Sequence, residues 1–238
     1  MLTREQFTYR FLYLLNAYPS FYMPVARIRY RRSTDLLVTR DTELVIEAFS
    51  RSGSTFANFA FLSAQIRTVK TVHHTHAAAQ IITAVRMGIP TLVIVRPPLD
   101  AALSHMVRFL ISPRAALVAW IRFHERILPY LDRVVLTSFD AMTTDFGAVI
   151  RRVNEKFGTE FGIWQHTKEN EAQVFEQIRQ RNRNRFGDAP SPVRSRALAI
   201  PTSQREALKE ELQVQLQAER LAPLRQRAQH LYTQVINA

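Results

Sequence analysis

Four short apolar runs punctuate a chain whose remaining apolar positions recur at helical spacing. Glu43–Phe49, Thr68–His74, Thr91–Val95 and Val134–Thr137 carry β-branched and aliphatic residues that suit strands. Between them the pattern predicts helices from Ser54 to about Arg67, over Ala77–Met87, over Leu99–Ile111 and Ala115–Leu131, and over Thr144–Phe157. Gly88 and Gly158 stop two of these, and Ser112-Pro113 separates the middle pair. Strands alternating with helices predict an α/β fold, a parallel β-sheet flanked by helices on both faces. Thr91–Val95 has the unbroken apolar character of a strand buried on both sides.

The ends of the chain read differently. Arg4–Ala17 is an amphipathic helix by pattern, expected to pack on the core, with a membrane surface as the alternative. Leu36–Thr39 is either a short strand or an extended lead-in. Thr167–Arg183 is polar and helical. Asn184–Thr202 is a loop with a glycine, prolines and several arginines. Gln204–Val235 is helical again, with Pro223 ending or kinking it. No long linker divides the chain. The expectation is one domain over 1–238: a helical lead-in over 1–35, a nucleotide-binding core over 36–160 and a helical C-terminal part over 161–238.

Composition adds a charge argument. The 238 residues carry a net charge of +12, and Lys70, Lys156, Lys168 and Lys209 are the only lysines among 32 basic residues. Arginine grips phosphate and sulfate oxygens bidentately, so an anionic ligand fits. An arginine-rich codon usage would give the same bias, and charge alone also admits nucleic-acid binding. There is no cysteine, which excludes disulfide and thiolate chemistry. A cytoplasmic protein is the expectation. Phe11-Leu12-Tyr13-Leu14-Leu15 is far short of the ~20 apolar residues a span needs, so neither a signal peptide nor a transmembrane segment is expected.

Candidate chemistry gathers at two strand ends. After the first strand comes Arg51-Ser52-Gly53-Ser54-Thr55, then a helical pattern. A strand, a small-residue loop and a helix N-terminus form an anion site, because the first helical N–H groups are unpaired and the macrodipole is positive there. The bland alternative is an ordinary strand-to-helix turn. After the third strand comes Arg96, with Asp100 four residues later and Ser104 eight residues later. Ligands of open α/β sheets collect outside such strand ends. Read alone, Arg96 could instead pair with Asp100 and leave Ser104 merely exposed.

Taken together, in order and at this separation, the two segments resemble the motifs of sulfotransferases that use 3′-phosphoadenosine 5′-phosphosulfate (PAPS). The resemblance spans about Leu44 to Gly158. It implies a P-loop NTPase-like arrangement in which Arg51, Ser52, Gly53, Ser54 and Thr55 hold the 5′-phosphosulfate, while Arg96 and Ser104 hold the 3′-phosphate. In that family a Lys-Thr-His triplet follows the second strand and supplies the catalytic base. His74-Thr75-His76 is similar, which makes His76 the base, although His74 replaces the lysine that would contact the sulfonate. The histidines could instead cap a strand end or bind a metal, or Glu47 could be the base. Val134–Asp140 matches the family's late strand and reads as structural. The family's basic C-terminal loop, often Arg-Lys-Gly, has no counterpart here, and Arg194-Ser195-Arg196 is the nearest substitute. Arg179, Arg181, Arg183 and Arg185 scatter around a predicted helix and read as a solvated face or an acceptor-binding surface.

The implied reaction is sulfonate transfer to a hydroxyl or amine, with His76 and Arg51 catalytic and no metal required. The acceptor, a carbohydrate or another hydroxylated molecule, is not identified by the sequence. Two rivals stand beside this reading. A P-loop kinase or NTPase shares the local architecture, but the Gly-x-x-x-x-Gly-Lys-Ser/Thr pattern fails, with Ser54 where the lysine belongs. A non-catalytic basic nucleic-acid-binding protein is the other, and nucleic acid is not the expected partner.

Overall fold

The computed structural model describes residues 15–31, 36–187 and 203–238. Its centre is a four-stranded sheet of β1 (Leu44–Ala48), β2 (Thr71–His73), β3 (Thr91–Val95) and β4 (Val135–Ser138). The spatial order is β2-β1-β3-β4 and every neighbouring pair is parallel. The chain leaves β1 toward β2 on one side and then places β3 on the other. The order of winding therefore reverses between β1 and β3, where a crevice opens beyond the carboxyl ends of the strands.

Alternation along the strands builds two cores. Leu44, Ile46, Ala48, Leu92 and Ile94 face helices α2 (Ser54–Ser63), α7 (Phe146–Phe157) and α8 (Lys168–Phe186), joining Phe61, Phe146, Val174 and Ile178. Val93 and Val95 point the other way, into a core with Trp120, Leu117 and Met106. That second layer is made by α4 (Pro98–Phe109), α5 (Pro113–Ile127), α9 (Ser203–Leu216) and α10 (Ala222–Ile236). Successive strand residues point to opposite faces, so both faces are apolar and both are covered. Val45 packs with Val72 and Ala84 under α3 (Ala78–Arg86). Glu47, two residues on, shares that side and is fully buried.

Local chemistry sets the boundaries that differ from expectation. The helix expected to reach Arg67 ends at Ser63, because Gln65 turns its side chain back to the Phe61 carbonyl (2.7 Å) and accepts from the Gly162 N–H (2.9 Å). The Thr144–Phe157 helix is preceded by a separate one, α6 (Phe139–Thr144); Asp145 breaks between them and caps α7 through Ala148 N–H at 2.9 Å. The last helical region breaks at Gln217-Ala218 rather than at Pro223, which sits in the first turn of α10. There proline's missing N–H costs nothing. Arg225 staples the break by donating to the Leu216 and Ala218 carbonyls. Leu36–Thr39 forms no strand. Residues Pro19–Arg29, with Pro24 inside, form helix α1, within the stretch expected as a helical lead-in though without bounds of its own. Most of the helix expected over Arg4–Ala17 lies outside the described residues.

Candidate functional site

The loop after β1 turns sharply. Gly53 has φ 88° and is the N-cap of α2, and a Cβ there would come within 2.6 Å of Met142 Cε and 3.1 Å of the Phe139 ring. The left-handed backbone and the close approach of α6 both favour glycine here. No side chain caps α2, and its first helical bond runs from Ala57 N–H to Gly53 O at 3.0 Å. The N–H groups of Ser54, Thr55 and Phe56 therefore begin the helix ahead of any such bond. Ser52 is fully buried, and its hydroxyl has no hydrogen-bond partner among the described residues.

Guanidinium groups tie this loop to the next strand. Arg51 has φ 72°, strained for a non-glycine residue. Arg96, at the end of β3, donates to the Arg51 carbonyl at 3.0 Å. Arg51 Nε donates to Ser104 Oγ on α4 at 3.3 Å. Arg96 also lies over the Phe139 ring, 4.6 Å from its centroid, and its own carbonyl accepts from Trp120 Nε1. The strand-end arginine and the serine eight residues on thus meet the first loop at one place. Arg194 and Arg196 lie outside the described residues.

The segment after β2 is held by one carboxylate. Glu47 Oε1 accepts from the Thr75 N–H (3.0 Å) and the Thr75 hydroxyl (2.6 Å). Its Oε2 accepts from the N–H groups of His76 (3.1 Å) and Ala48 (3.3 Å). Burial pushes this carboxyl up to about 7, against four hydrogen bonds that favour its ionised form. His74 and His76 both have positive φ, 82° and 53°. With Arg51 they make three of the four non-glycine residues in that region among those described, and all three border the crevice. Strain of this kind persists only where surrounding bonds over-determine the backbone.

His76 is oriented by its ring as well. Nδ1 lies 3.1 Å from the Ala48 carbonyl, which can only accept, so Nδ1 carries the proton and Nε2 keeps its lone pair. Burial pushes His76 down to about 4, and the charges of Arg51, Arg108 and Arg181 push in the same direction. The ring is neutral near pH 7 and its side chain is 22% exposed, whereas Glu47 is wholly buried with both its oxygens occupied. The histidine rings lie 5.9 Å (His73 to His74) and 5.3 Å (His74 to His76) apart, and among the described residues no group of three or more His, Asp or Glu is arranged to hold a metal.

Among solved structures with a similar fold is mouse sulfotransferase SULT7A1 complexed with PAP. The two align with a TM-score of 0.43 and 12% sequence identity, over 83% of this chain and 93% of that one. No protein-family model matches the chain, and no curated protein does.

Two arginines emerge that sequence reasoning had not singled out for the crevice. Arg108 lies one helical turn beyond Ser104 on α4, a spacing that could have flagged it. Arg181 was grouped with three other arginines as a scattered set. The structure separates them: Arg179 and Arg183 pair with Glu176 at 2.6 and 2.8 Å on the outer face of α8, while the charge of Arg181 bears on His73 and His76. Tyr22 of α1 also reaches the histidine segment; burial, then the nearby Tyr30 and Glu47, push its hydroxyl up.

Proposed function

We propose that this protein transfers a sulfonate from PAPS to a hydroxyl or amine of an acceptor. The observation that carries the proposal is the Arg96–Arg51–Ser104 chain of hydrogen bonds at the winding reversal between β1 and β3. It joins two segments 45 residues apart into one basic surface beside an uncapped helix N-terminus. Such a surface suits an anion with two separated phosphate groups. The residues fit that group: Gly53 turns the loop into an uncapped helix N-terminus, and the buried Ser52 hydroxyl has no partner among the described residues.

In this reading Arg51 and the first N–H groups of α2 hold the 5′-phosphosulfate, and Arg96 with Ser104 holds the 3′-phosphate. When bound, the donor supplies an activated sulfonate whose S–O bond to phosphate breaks as the acceptor oxygen or nitrogen bonds to sulfur, the electron pair leaving with the phosphate. His76 Nε2 takes the acceptor's proton and later releases it to solvent. Arg51 is aimed where charge grows on the bridging oxygen, which is electrostatic preorganisation. Glu47 keeps His76 in place without touching substrate. Arg96 has a second duty, since it also fixes the Arg51 carbonyl.

Calorimetric titration of 3′,5′-adenosine bisphosphate (PAP) against 5′-AMP tests this. The charge-assisted contacts to a 3′-phosphate should favour PAP by roughly tenfold to a hundredfold. Arg96→Ala should remove most of that preference, with some loss for 5′-AMP as well because the Arg51 carbonyl loses its donor. Equal affinity of the wild type for the two nucleotides, or preference for ATP with magnesium, defeats the assignment.

A further inference from the structure

Helix α1 departs from the rule that the outer face of a packed helix is polar. One face, with Tyr22, Met23 and Ala26, is buried against Leu37, Ala77 and Ala79. The opposite face carries Phe21, Pro24, Val25 and Ile28, the i, i+3, i+4, i+7 spacing of an apolar stripe. Phe21 is 63% exposed and Ile28 75% exposed. Tyr18 lengthens the stripe, its ring edge-on to Phe21 with centroids 6.4 Å apart. At about 3.6 residues per turn, Arg27 flanks this stripe on one side and Arg29 on the other, and Arg31 follows just beyond the helix. All three arginines are exposed, and none takes part in an ion pair among the described residues. A fourth, Arg126 of α5, lies 4.3 Å over the Tyr18 ring and donates to the Ala17 carbonyl. Helix α1 has no acidic residue, and ahead of Asp35 the sequence sets six arginines against Glu5 alone. The chain entering α1 is tied to the segment that carries His76. Asn16 Nδ2 donates to the His76 carbonyl at 3.4 Å, and the Ala79 N–H donates to the Asn16 carbonyl at 2.8 Å.

We propose that α1 docks the protein on an anionic lipid bilayer. The helix lies in the plane of the interface, with Phe21 and Ile28 among the acyl chains and Arg27, Arg29 and Arg31 at the level of the phosphates. No helix among the described residues is long and apolar enough to cross a membrane, and this contact needs none. Exposed apolar side chains alone would suit a protein partner equally well. Arginines on both flanks, with no carboxylate on the helix, match a surface that is negative throughout. The arginine stems add apolar area while their guanidinium groups stay in the wet headgroup layer. The proposal stands apart from the sulfotransferase reading. Through Asn16, docking also fixes the His76 segment relative to the bilayer.

Co-sedimentation with extruded vesicles tests this, comparing pure phosphatidylcholine with an equal mixture of phosphatidylcholine and phosphatidylserine. The wild type should bind the mixed vesicles at least about tenfold more tightly. Phe21→Ser/Ile28→Ser should weaken that binding by about ten- to a hundredfold, and Arg27→Gln/Arg29→Gln/Arg31→Gln by a similar factor. Arg40→Gln/Arg114→Gln/Arg220→Gln removes the same charge from exposed positions outside α1 and should cost less than about threefold. Melting curves verify that each variant folds. Trp120 and Trp164 are buried, so the emission of Phe21→Trp reports on α1. It should shift to the blue when mixed vesicles are added and be quenched by lipid brominated along its acyl chains. Failure of the wild type to bind mixed vesicles overturns the proposal, as does equal binding to the two compositions. Binding that survives either α1 variant, a control triple as harmful as the α1 triple, or an unshifted Phe21→Trp emission overturns it too. So does a Phe21→Trp emission already shielded from iodide without vesicles, or self-association that Phe21→Ser/Ile28→Ser abolishes, since another part of the chain or a second copy then covers the face.

Discussion

The two halves of the crevice are held in opposite ways. On the β1–β3 side, cations immobilise a backbone: Arg96 grips the Arg51 carbonyl, and Arg51 grips Ser104. On the β2 side, an anion does so: Glu47 gathers donors from Thr75, His76 and Ala48. The first arrangement sets two guanidinium groups beside the first N–H groups of α2, which have no side-chain cap. The second hides its charge beneath the histidines and leaves a neutral imidazole with a free lone pair. Strained backbone marks both halves of the crevice.

Breaking the second half should have the largest effect. His76→Ala should slow sulfonate transfer by roughly 10²–10⁴-fold, the usual contribution of a general base. PAP affinity should change little, since the ring belongs to the histidine side. Steady-state kinetics and PAP titration on the same variant separate the two, and near-normal turnover would remove His76 from the mechanism.

Glu47→Gln should act next, through position rather than contact. An amide accepts at one oxygen only, so the donors now served by the other oxygen lose their partner. Misplacing the imidazole should lower kcat by up to about 10²-fold. KM for PAPS and PAP affinity should stay close to wild type, whereas a merely destabilising change would weaken both. A loss confined to KM would count against the positioning role.

The smallest effect sharpens the comparison through pH. Burial depresses His73 and His76 to about 4 and His105 and His124 to about 3. Because the unfolded chain takes up protons near pH 6.5 that these folded sites refuse, stability should fall as the pH drops below that value and continue falling toward 4. For His105 and His124, wholly buried in the second core, the loss at pH 5 is on the order of 2 kcal/mol each. Glu47 works against this, since its raised value means the folded state gains protons between about 7 and 4.5. Melting temperatures at pH 7 and pH 5 should show a net fall. His124→Phe, which keeps an aromatic ring against Trp120, should flatten it; an unchanged fall would exclude His124 as a contributor.

Much of this was legible in the chain. Thr91–Val95 is a strand with the bounds its apolar run predicted, because a central strand needs only local character and burial. Gly53 before a helical pattern marked the tight turn, and the Arg96-to-Ser104 spacing placed both residues at one crevice. The strand expected over Thr68–His74 shrank to Thr71–His73, because its pairing with β1 begins at Leu44 with Thr71. Within the helical lead-in the bounds of helix α1 were not legible, because Pro24 lies inside it and proline ordinarily breaks a helix.

The sequence by itself determined the parallel α/β sheet, its four strands and the small-residue loop, since periodicity and glycine act over a few residues. Tertiary structure alone decided the rest. Glu47, a candidate base by sequence, lies wholly buried among four donors. Arg181, read with three other arginines as a solvated face or an acceptor-binding surface, follows the buried Val174 and Ile178 along α8, and its charge bears on His76. In both cases the role depends on groups tens of residues away, brought close by burial of the strands and helices that carry them, and no local pattern encodes that proximity.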